Sequence, residues 1–169
     1  MNIVATILGG GVVAVIGQAV RESLHHIITK ETAFEEAREL SNGKGIINLG
    51  CGPHRTFGAQ IIAEAPEVLA NIDIALDGMP RFIQLDIESE PLPFADKQFG
   101  CAFASHILEH LDNWQFALHE ACRVADWVVV VLPHPLNFGG WLAPSHKQHF
   151  SVGDIQTIVE LYPNVEVYF

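Results

Sequence analysis

The sequence carries little charge, and most of that charge is negative. Charged residues make up 17% of the 169 residues, and nine Lys and Arg stand against twenty Asp and Glu, for a formal net charge of −11. This sign argues against a long nucleic acid as the partner, because a phosphate backbone is bound through clustered basic residues. Hydrophobic residues make up 49% of the chain, which excludes a disordered protein, and the length fits one domain.

Cysteine is also scarce. The three cysteines, Cys51, Cys101 and Cys122, lie far apart and form no C-x-x-C pair. This spacing argues against a disulfide framework and against a zinc knuckle. We therefore expect reduced thiols and a domain that lies in the cytoplasm.

The N-terminal segment has no charge. Residues 3–20 contain no charged side chain, and as a helix they would be about 27 Å long, close to the thickness of a bilayer core. We expect a hydrophobic helix over residues 1–20 that anchors the protein to a membrane; the alternative is a first helix buried against the domain. Apolar residues at near-helical spacing predict a linker helix within 21–44, and the main domain then covers 45–169.

Strand-like and helical segments alternate through the main domain. The predicted strands are 45–49, 70–75, 82–86, 101–105, 127–132 and 165–169, and the predicted helices are 58–65, 114–125 and 152–162. The strands are continuously apolar, as in sheets covered on both faces. The order therefore predicts an α/β fold with a doubly wound, mostly parallel sheet. Within the second of these helices, Glu120 and Arg123 are spaced to form a solvated or structural ion pair.

A glycine turn follows the first strand. The residues Gly50-Cys51-Gly52 come directly after the apolar run 46–49, at the strand end where open parallel sheets bind ligands. Asp73 follows the next strand, at the distance expected for an acid that accepts hydrogen bonds from ribose hydroxyls. A dinucleotide fingerprint requires a third glycine where this chain has Arg55, so the NAD interpretation lacks its most specific element.

Further motifs extend this pattern. The chain continues with Gln-Leu-Asp-Ile-Glu at 84–88, Pro-Leu-Pro-Phe at 91–94 and Ser-His-Ile-Leu-Glu-His-Leu at 105–111. With Ile-Asn-Leu-Gly-Cys-Gly at 47–52 and Asn-Ile-Asp-Ile at 71–74, the sequence resembles class I S-adenosylmethionine-dependent methyltransferases of type 11. The resemblance covers roughly residues 45–151. It implies a Rossmann-like enzyme that transfers a methyl group from S-adenosylmethionine to an acceptor. We expect an unidentified small-molecule or lipid-like acceptor, the latter if residues 1–20 anchor the protein to a membrane.

The resemblance also implies a set of site residues. Asp73 would hold the ribose hydroxyls, Asp86 with the backbone of Ile87 would meet the adenine edge, and the glycine turn would pass under the methionine part. His106 would face the transferring methyl group and is the catalytic candidate. The implied cofactor-binding residues are Asn48, Gly50, Cys51, Gly52, Asp73, Asp86, Ile87 and His106.

Some positions depart from the family pattern. Asn48 stands where an acid is usual, His54 replaces a glycine, and Gly100 replaces an Asp. The resemblance also implies a seventh, antiparallel strand, which the sequence up to Phe169 does not supply, so we expect a sheet edge that is either truncated or supplied from elsewhere. These departures leave open a second interpretation, in which the domain is a non-catalytic cofactor-binding or scaffold module.

Histidines form the last notable pattern. The residue types and spacing of His106-x-x-Glu109-His110 match the zinc-protease motif H-x-x-E-H, so a zinc hydrolase is one alternative. Another is a metal-assisted 2′-O-methyltransferase, which this pattern also resembles, with Glu109, His110 and a later histidine such as His149 as ligands. Structural histidines account for the pattern more simply, so we predict no metal site. The acceptor and the oligomeric state cannot be derived from the sequence.

Overall fold

The computed structural model describes residues 29–52, 57–75, 78–134 and 144–169. The predicted anchor over residues 1–20 and the positions of His54 and Arg55 lie outside these residues. Within the described part of the chain, no helix is both long and apolar enough to cross a membrane.

Helices alternate with strands along the described chain. The strands are β1 (Ile46–Leu49), β2 (Val68–Asp73), β3 (Phe82–Gln84), β4 (Phe99–Ser105), β5 (Ala125–Val131) and β6 (Val165–Tyr168). The helices are α1 (29–41), α2 (Phe57–Glu64), α3 (Trp114–Val124) and α4 (Val152–Leu161), with a 3-10 helix at Leu108–His110.

One six-stranded sheet holds the domain together, in the order β3-β2-β1-β4-β5-β6. Every neighbouring pair in it is parallel. The predicted doubly wound α/β fold is confirmed. Among the described residues the sheet has no antiparallel strand, and β6 pairs directly with β5.

The core lies on both faces of this sheet. Side chains of α1 and α2, such as Phe34 and Ile62, pack with Phe103 and Val129 on one face. Side chains of α3 and α4 pack on the other face with the alternate residues of the same strands, including Val128. Because β1 and β4 are covered on both sides, all of their residues are buried, which explains their continuously apolar sequences.

A packing contact, unrelated to a cofactor, explains why position 100 is a glycine. It lies at the start of β4, at the end of the strand opposite to its carboxyl terminus, and the backbone of Ser41 passes directly over it. A Cβ atom at Gly100 would lie 2.6 Å from Ser41 Cα and closer still to the Ser41 carbonyl. The departure from the family pattern at this position therefore serves the packing of α1.

Glu120 and Arg123 form the predicted structural ion pair. Arg123 donates from Nε and Nη2 to the buried Glu120 carboxylate at 2.8 and 2.7 Å. It also donates to the carbonyls of Leu92 and Phe94 and to Asp96, while the Leu92 amide donates to Glu120. These hydrogen bonds lower the pKa of Glu120 and raise that of Arg123. The pair fixes the loop before β4 onto α3.

Candidate functional site

A cavity opens at the carboxyl ends of the central strands. This is the point where the strand order reverses around β1 and β4, and ligands of open α/β sheets bind in such crevices. The part of it that the described residues enclose is about 220 Å³. Its lining consists of Gly50, Asp73, Ile74, Leu85, Asp86, Ile87, Glu88, Ile107, His110, Leu111 and Lys147.

Gly50 lies at the mouth of this cavity, at the first residue after β1. Its φ of +61° belongs to the left-handed region, which favours glycine. A Cβ atom here would lie 2.6 Å from Ile107 Cβ and 2.7 Å from Ile107 Cδ1. Glycine is therefore required twice, once for the backbone conformation and once for the approach of Ile107.

Asp73 ends β2 and lines the cavity beside Gly50. Its Oδ2 accepts a hydrogen bond from the Gly52 amide at 2.9 Å, and its Oδ1 accepts one from the Ala75 amide at 2.9 Å. Each carboxylate oxygen has two lone pairs, so one on each remains for a ligand hydroxyl. The carboxylate is thus oriented by backbone amides on two sides.

Asp86 and Ile87 lie in the turn that follows β3. Asp86 Oδ1 accepts from the Glu88 amide at 3.2 Å, and its Oδ2 accepts from the Ser89 hydroxyl at 2.7 Å. These contacts orient the Asp86 carboxylate and fix the turn. The apolar side chain of Ile87 is buried next to it, so this wall of the cavity offers a polar edge beside an apolar surface.

Four of the predicted site residues do not line this cavity: Asn48, Cys51, Gly52 and His106. Asn48 is buried within β1 and donates from Nδ2 to Asn71 Oδ1 at 2.8 Å, so its side chain links two strands of the sheet. Cys51 is a buried cysteine that packs with Ala63. Gly52 contributes through its amide, which orients Asp73.

His106 follows β4 in an uncommon backbone conformation. Its φ is +53°, which is unfavourable for a residue with a Cβ atom and is concentrated at functional sites. The amide of His106 donates to the Val131 carbonyl at 2.9 Å. Its Nδ1 lies 3.2 Å from Glu109 Oε1, so the ring is directed toward the 3-10 helix.

One wall of the cavity consists of residues outside the predicted cofactor-binding set. Lys147 and His110 line it, because the Lys147 and Gln148 amides both donate to the Glu109 carbonyl and hold residues 147–148 against the 3-10 helix. A hydrogen bond to Asp112 raises the pKa of Lys147, which keeps its ammonium group charged. This contact spans more than thirty residues of sequence, and no motif marks Lys147 as part of the cavity.

The comparisons with known proteins agree with the sequence motifs. Residues 47–126 match the type 11 family model described as a methyltransferase domain. Among solved structures, the chain is similar to one in the Haloferax volcanii complex of the Trm112 methyltransferase activator with a candidate methyltransferase, at 17% identity and a TM-score of 0.42. The similarity covers 64% of this chain and 53% of that chain, so the sequence spans about half of the relative's length.

A TM-score of this size supports no conclusion about function or partners. No curated protein matches the sequence. The family match agrees with the motifs seen in the sequence. Residues 47–126 are similar to a methyltransferase domain, which supports a methyltransferase of class I.

Proposed function

We propose that the protein binds S-adenosylmethionine in the cavity beside Gly50 and transfers its methyl group to a small-molecule or lipid-like acceptor. The observation that carries this proposal is the convergence of Gly50, Asp73, Asp86 and Ile87 on one cavity at the carboxyl ends of the strands. These four residues come from three separate motifs of the sequence. Their meeting at one place supports a shared ligand.

The lining fits the chemical parts of that cofactor. Asp73 has the lone pairs to accept hydrogen bonds from the ribose hydroxyls, and Asp86 offers a carboxylate to the adenine edge. The apolar side chains of Leu85 and Ile87 flank the same region and suit the faces of an aromatic base. Carboxylates in the lining also favour a ligand that carries a sulfonium cation.

Methyl transfer requires the protein mainly to align the acceptor with the methyl group. The cofactor supplies a methyl group that its sulfonium sulfur already activates. The chain must therefore hold the acceptor in line with the bond that breaks and exclude water from the cavity. His106 is the residue that we propose as the base for an acceptor that arrives protonated, since it follows β4 at the same edge of the sheet.

The acceptor class follows from charge and from the N-terminal segment. The formal net charge of −11 disfavours a nucleic-acid acceptor. An uncharged segment at residues 3–20 would place the domain at a cytoplasmic membrane face, where lipid-like acceptors are available. The proposal also includes a small soluble acceptor, because the acceptor atom must be aligned with the methyl group in the same way in a soluble and in a lipid-like molecule.

A second candidate function is a non-catalytic module with the same fold. Two observations favour it: Asn48 is committed to a hydrogen bond inside the sheet, and His106 does not line the cavity. Under this interpretation the cofactor pocket, where it is retained, has a structural role.

Calorimetric titration of the full chain tests whether the chain binds the cofactor at all, and a transfer assay then separates an enzyme from a non-catalytic module. S-adenosylmethionine and S-adenosylhomocysteine are the ligands, and NADH is the control. Micromolar binding of the first two with no NADH binding supports the proposal, whereas no binding of either supports the scaffold. Binding of NADH would overturn the cofactor assignment. Transfer of labelled methyl groups to lipid and small-molecule extracts, followed as S-adenosylhomocysteine release, then tests catalysis and identifies the acceptor class.

A further inference from the structure

A cluster of metal-ligating side chains lies next to the cavity, in a part of the fold that the proposed cofactor contacts do not use. One ligand atom from each of Glu109, His110 and His146 falls within 4.8 Å of the others. Glu109 and His110 belong to the 3-10 helix, and His146 comes from the segment packed against it. Two imidazoles and one carboxylate are a usual ligand set for zinc and other first-row divalent transition metals.

Glu109 provides an independent indication of a ligand. Its side chain is only 1% exposed, and its Oε2 has no hydrogen-bond partner among the described residues. Leaving a buried carboxylate oxygen unsatisfied is costly, and a cation bound to it would remove this cost. The other oxygen, Oε1, lies 3.2 Å from His106 Nδ1, so an Nδ1–H of His106 can orient the carboxylate from behind.

The two histidines of the cluster are held in place. Nδ1 of His110 donates to the Ser145 carbonyl at 2.8 Å, which leaves the lone pair of the neutral ring on Nε2. The rings of His110 and His146 are close, with centroids 4.8 Å apart. A hydrogen bond from one ring nitrogen to a backbone carbonyl is the usual way in which proteins orient a metal-binding histidine.

The segment that carries His146 is itself anchored. The amides of Lys147 and Gln148 donate to the Glu109 carbonyl at 2.8 and 3.0 Å. Further along, the Phe150 ring packs edge-on against Trp114 of α3, with centroids 5.2 Å apart. The third ligand is therefore brought to the first two by backbone contacts of the segment that carries it.

We propose that Glu109, His110 and His146 form a binding site for one divalent transition-metal ion, with Zn²⁺ as the representative ion. Nitrogen ligands in the majority favour such ions over Mg²⁺ and Ca²⁺, which prefer oxygen. The metal-assisted alternative left open by the sequence would use a later histidine such as His149. The structure brings His146 to Glu109 and His110 instead.

The position of the site suggests how the ion would be used, and only this use rests on the proposed function. His110 belongs both to the cluster and to the cavity lining. An ion held there would lie at the edge of the cavity, where it can bind an acceptor oxygen and lower the pKa of a coordinated hydroxyl group.

Calorimetry with the metal alone tests the site. The full chain, without a histidine tag and after treatment with a chelator, is titrated with ZnCl₂ and separately with MgCl₂. We expect one Zn²⁺ per chain and no comparable response to MgCl₂. Glu109→Gln and His146→Ala should each weaken zinc binding at least about tenfold, whereas His119→Ala, a change of an exposed histidine on α3, should leave it unchanged.

Unchanged zinc affinity in both cluster variants, or no zinc binding by the wild-type chain, would overturn the site. An equal loss in His119→Ala would also overturn it, since the ion would then be held by surface histidines in general. Because Glu109 is buried, circular dichroism is used to check that Glu109→Gln folds. If this variant does not fold, the zinc affinity of His146→Ala alone tests the site, because His146 is only half-buried. Titration of His146→Ala with S-adenosylhomocysteine separates the two proposals, because we expect cofactor affinity to persist there.

Discussion

The amide of Gly52 donates a hydrogen bond to Asp73 Oδ2 at 2.9 Å, which links the turn after β1 to the end of β2. This contact makes the position of the carboxylate dependent on the conformation of the glycine turn. Gly52 has a φ of +69° and Gly50 one of +61°, so both ends of the turn use backbone that other residues avoid. The site is therefore sensitive to changes in the turn that touch no ligand directly.

Gly50→Ala should abolish most of the cofactor affinity. The added methyl group would be strained at positive φ and would collide with Ile107, which also lines the cavity. We expect binding of S-adenosylhomocysteine to weaken by at least about tenfold, measured by calorimetry.

Gly43→Ala is the matched control for that experiment. Its φ is +77°, but a Cβ there would meet nothing within 4 Å, and the residue lies before β1, away from the cavity. It should cost about 1–2 kcal/mol of stability and leave the affinity intact. Equal affinities in the two variants would show that Gly50 is not part of the site.

His106→Ala should retain cofactor binding and lose turnover. The residue does not line the cavity, but it lies at the same sheet edge and faces Glu109. His106→Asn removes the imidazole with less backbone strain, because asparagine tolerates a positive φ better than alanine does. This variant therefore separates loss of the side chain from a change in the backbone. Turnover is measured as S-adenosylhomocysteine release with an active extract, and normal turnover in both variants would remove His106 from the mechanism.

Glu120→Gln should destabilise the protein near neutral pH and less so in acid. Hydrogen bonds from Arg123 lower the pKa of Glu120 below its ordinary 4.5. The ionised form therefore stabilises the fold above that value, and this contribution is lost as the pH falls through the lowered pKa. We expect a loss of about 1–3 kcal/mol at neutral pH, where the carboxylate also accepts from the Leu92 amide.

Urea unfolding of the wild type and the variant, from neutral pH down to about pH 3, measures this difference. Glu160→Gln, an exposed change on α4, serves as the control and should have little effect at any pH. A difference between the wild type and Glu120→Gln that grows in acid would contradict the assigned direction of the pKa shift.

The elements of this fold could be predicted because their causes are local. The strands β1, β4 and β5 are buried on both faces, so their apolar residues run without interruption, and the glycine turn and Asp73 follow strand ends at fixed distances. Burial, spacing and turn chemistry are all properties of short stretches of sequence. They were sufficient to bring Gly50 and Asp73 to one cavity.

The remaining part of the site depends on contacts between distant residues. The bond between Asn48 and Asn71 joins two strands, and it removes from the cavity a side chain that the motif places there. The direction of the His106 ring depends on a positive φ, and no sequence pattern around this residue predicts that φ. His146 and Lys147 reach the 3-10 helix through two amide contacts with the Glu109 carbonyl, and neither has a motif of its own.

Titration of three proteins with S-adenosylhomocysteine tests the cofactor cavity most directly: the wild type, Asp73→Ala, and Asp126→Ala as a control. Asp126 lies near the start of β5 and pairs with Lys44, far from the carboxyl ends of the strands. We predict micromolar binding by the wild type and the control, and a loss of at least about tenfold in Asp73→Ala with its fold retained. Equal affinity in all three proteins, or no binding by the wild type, would contradict the account.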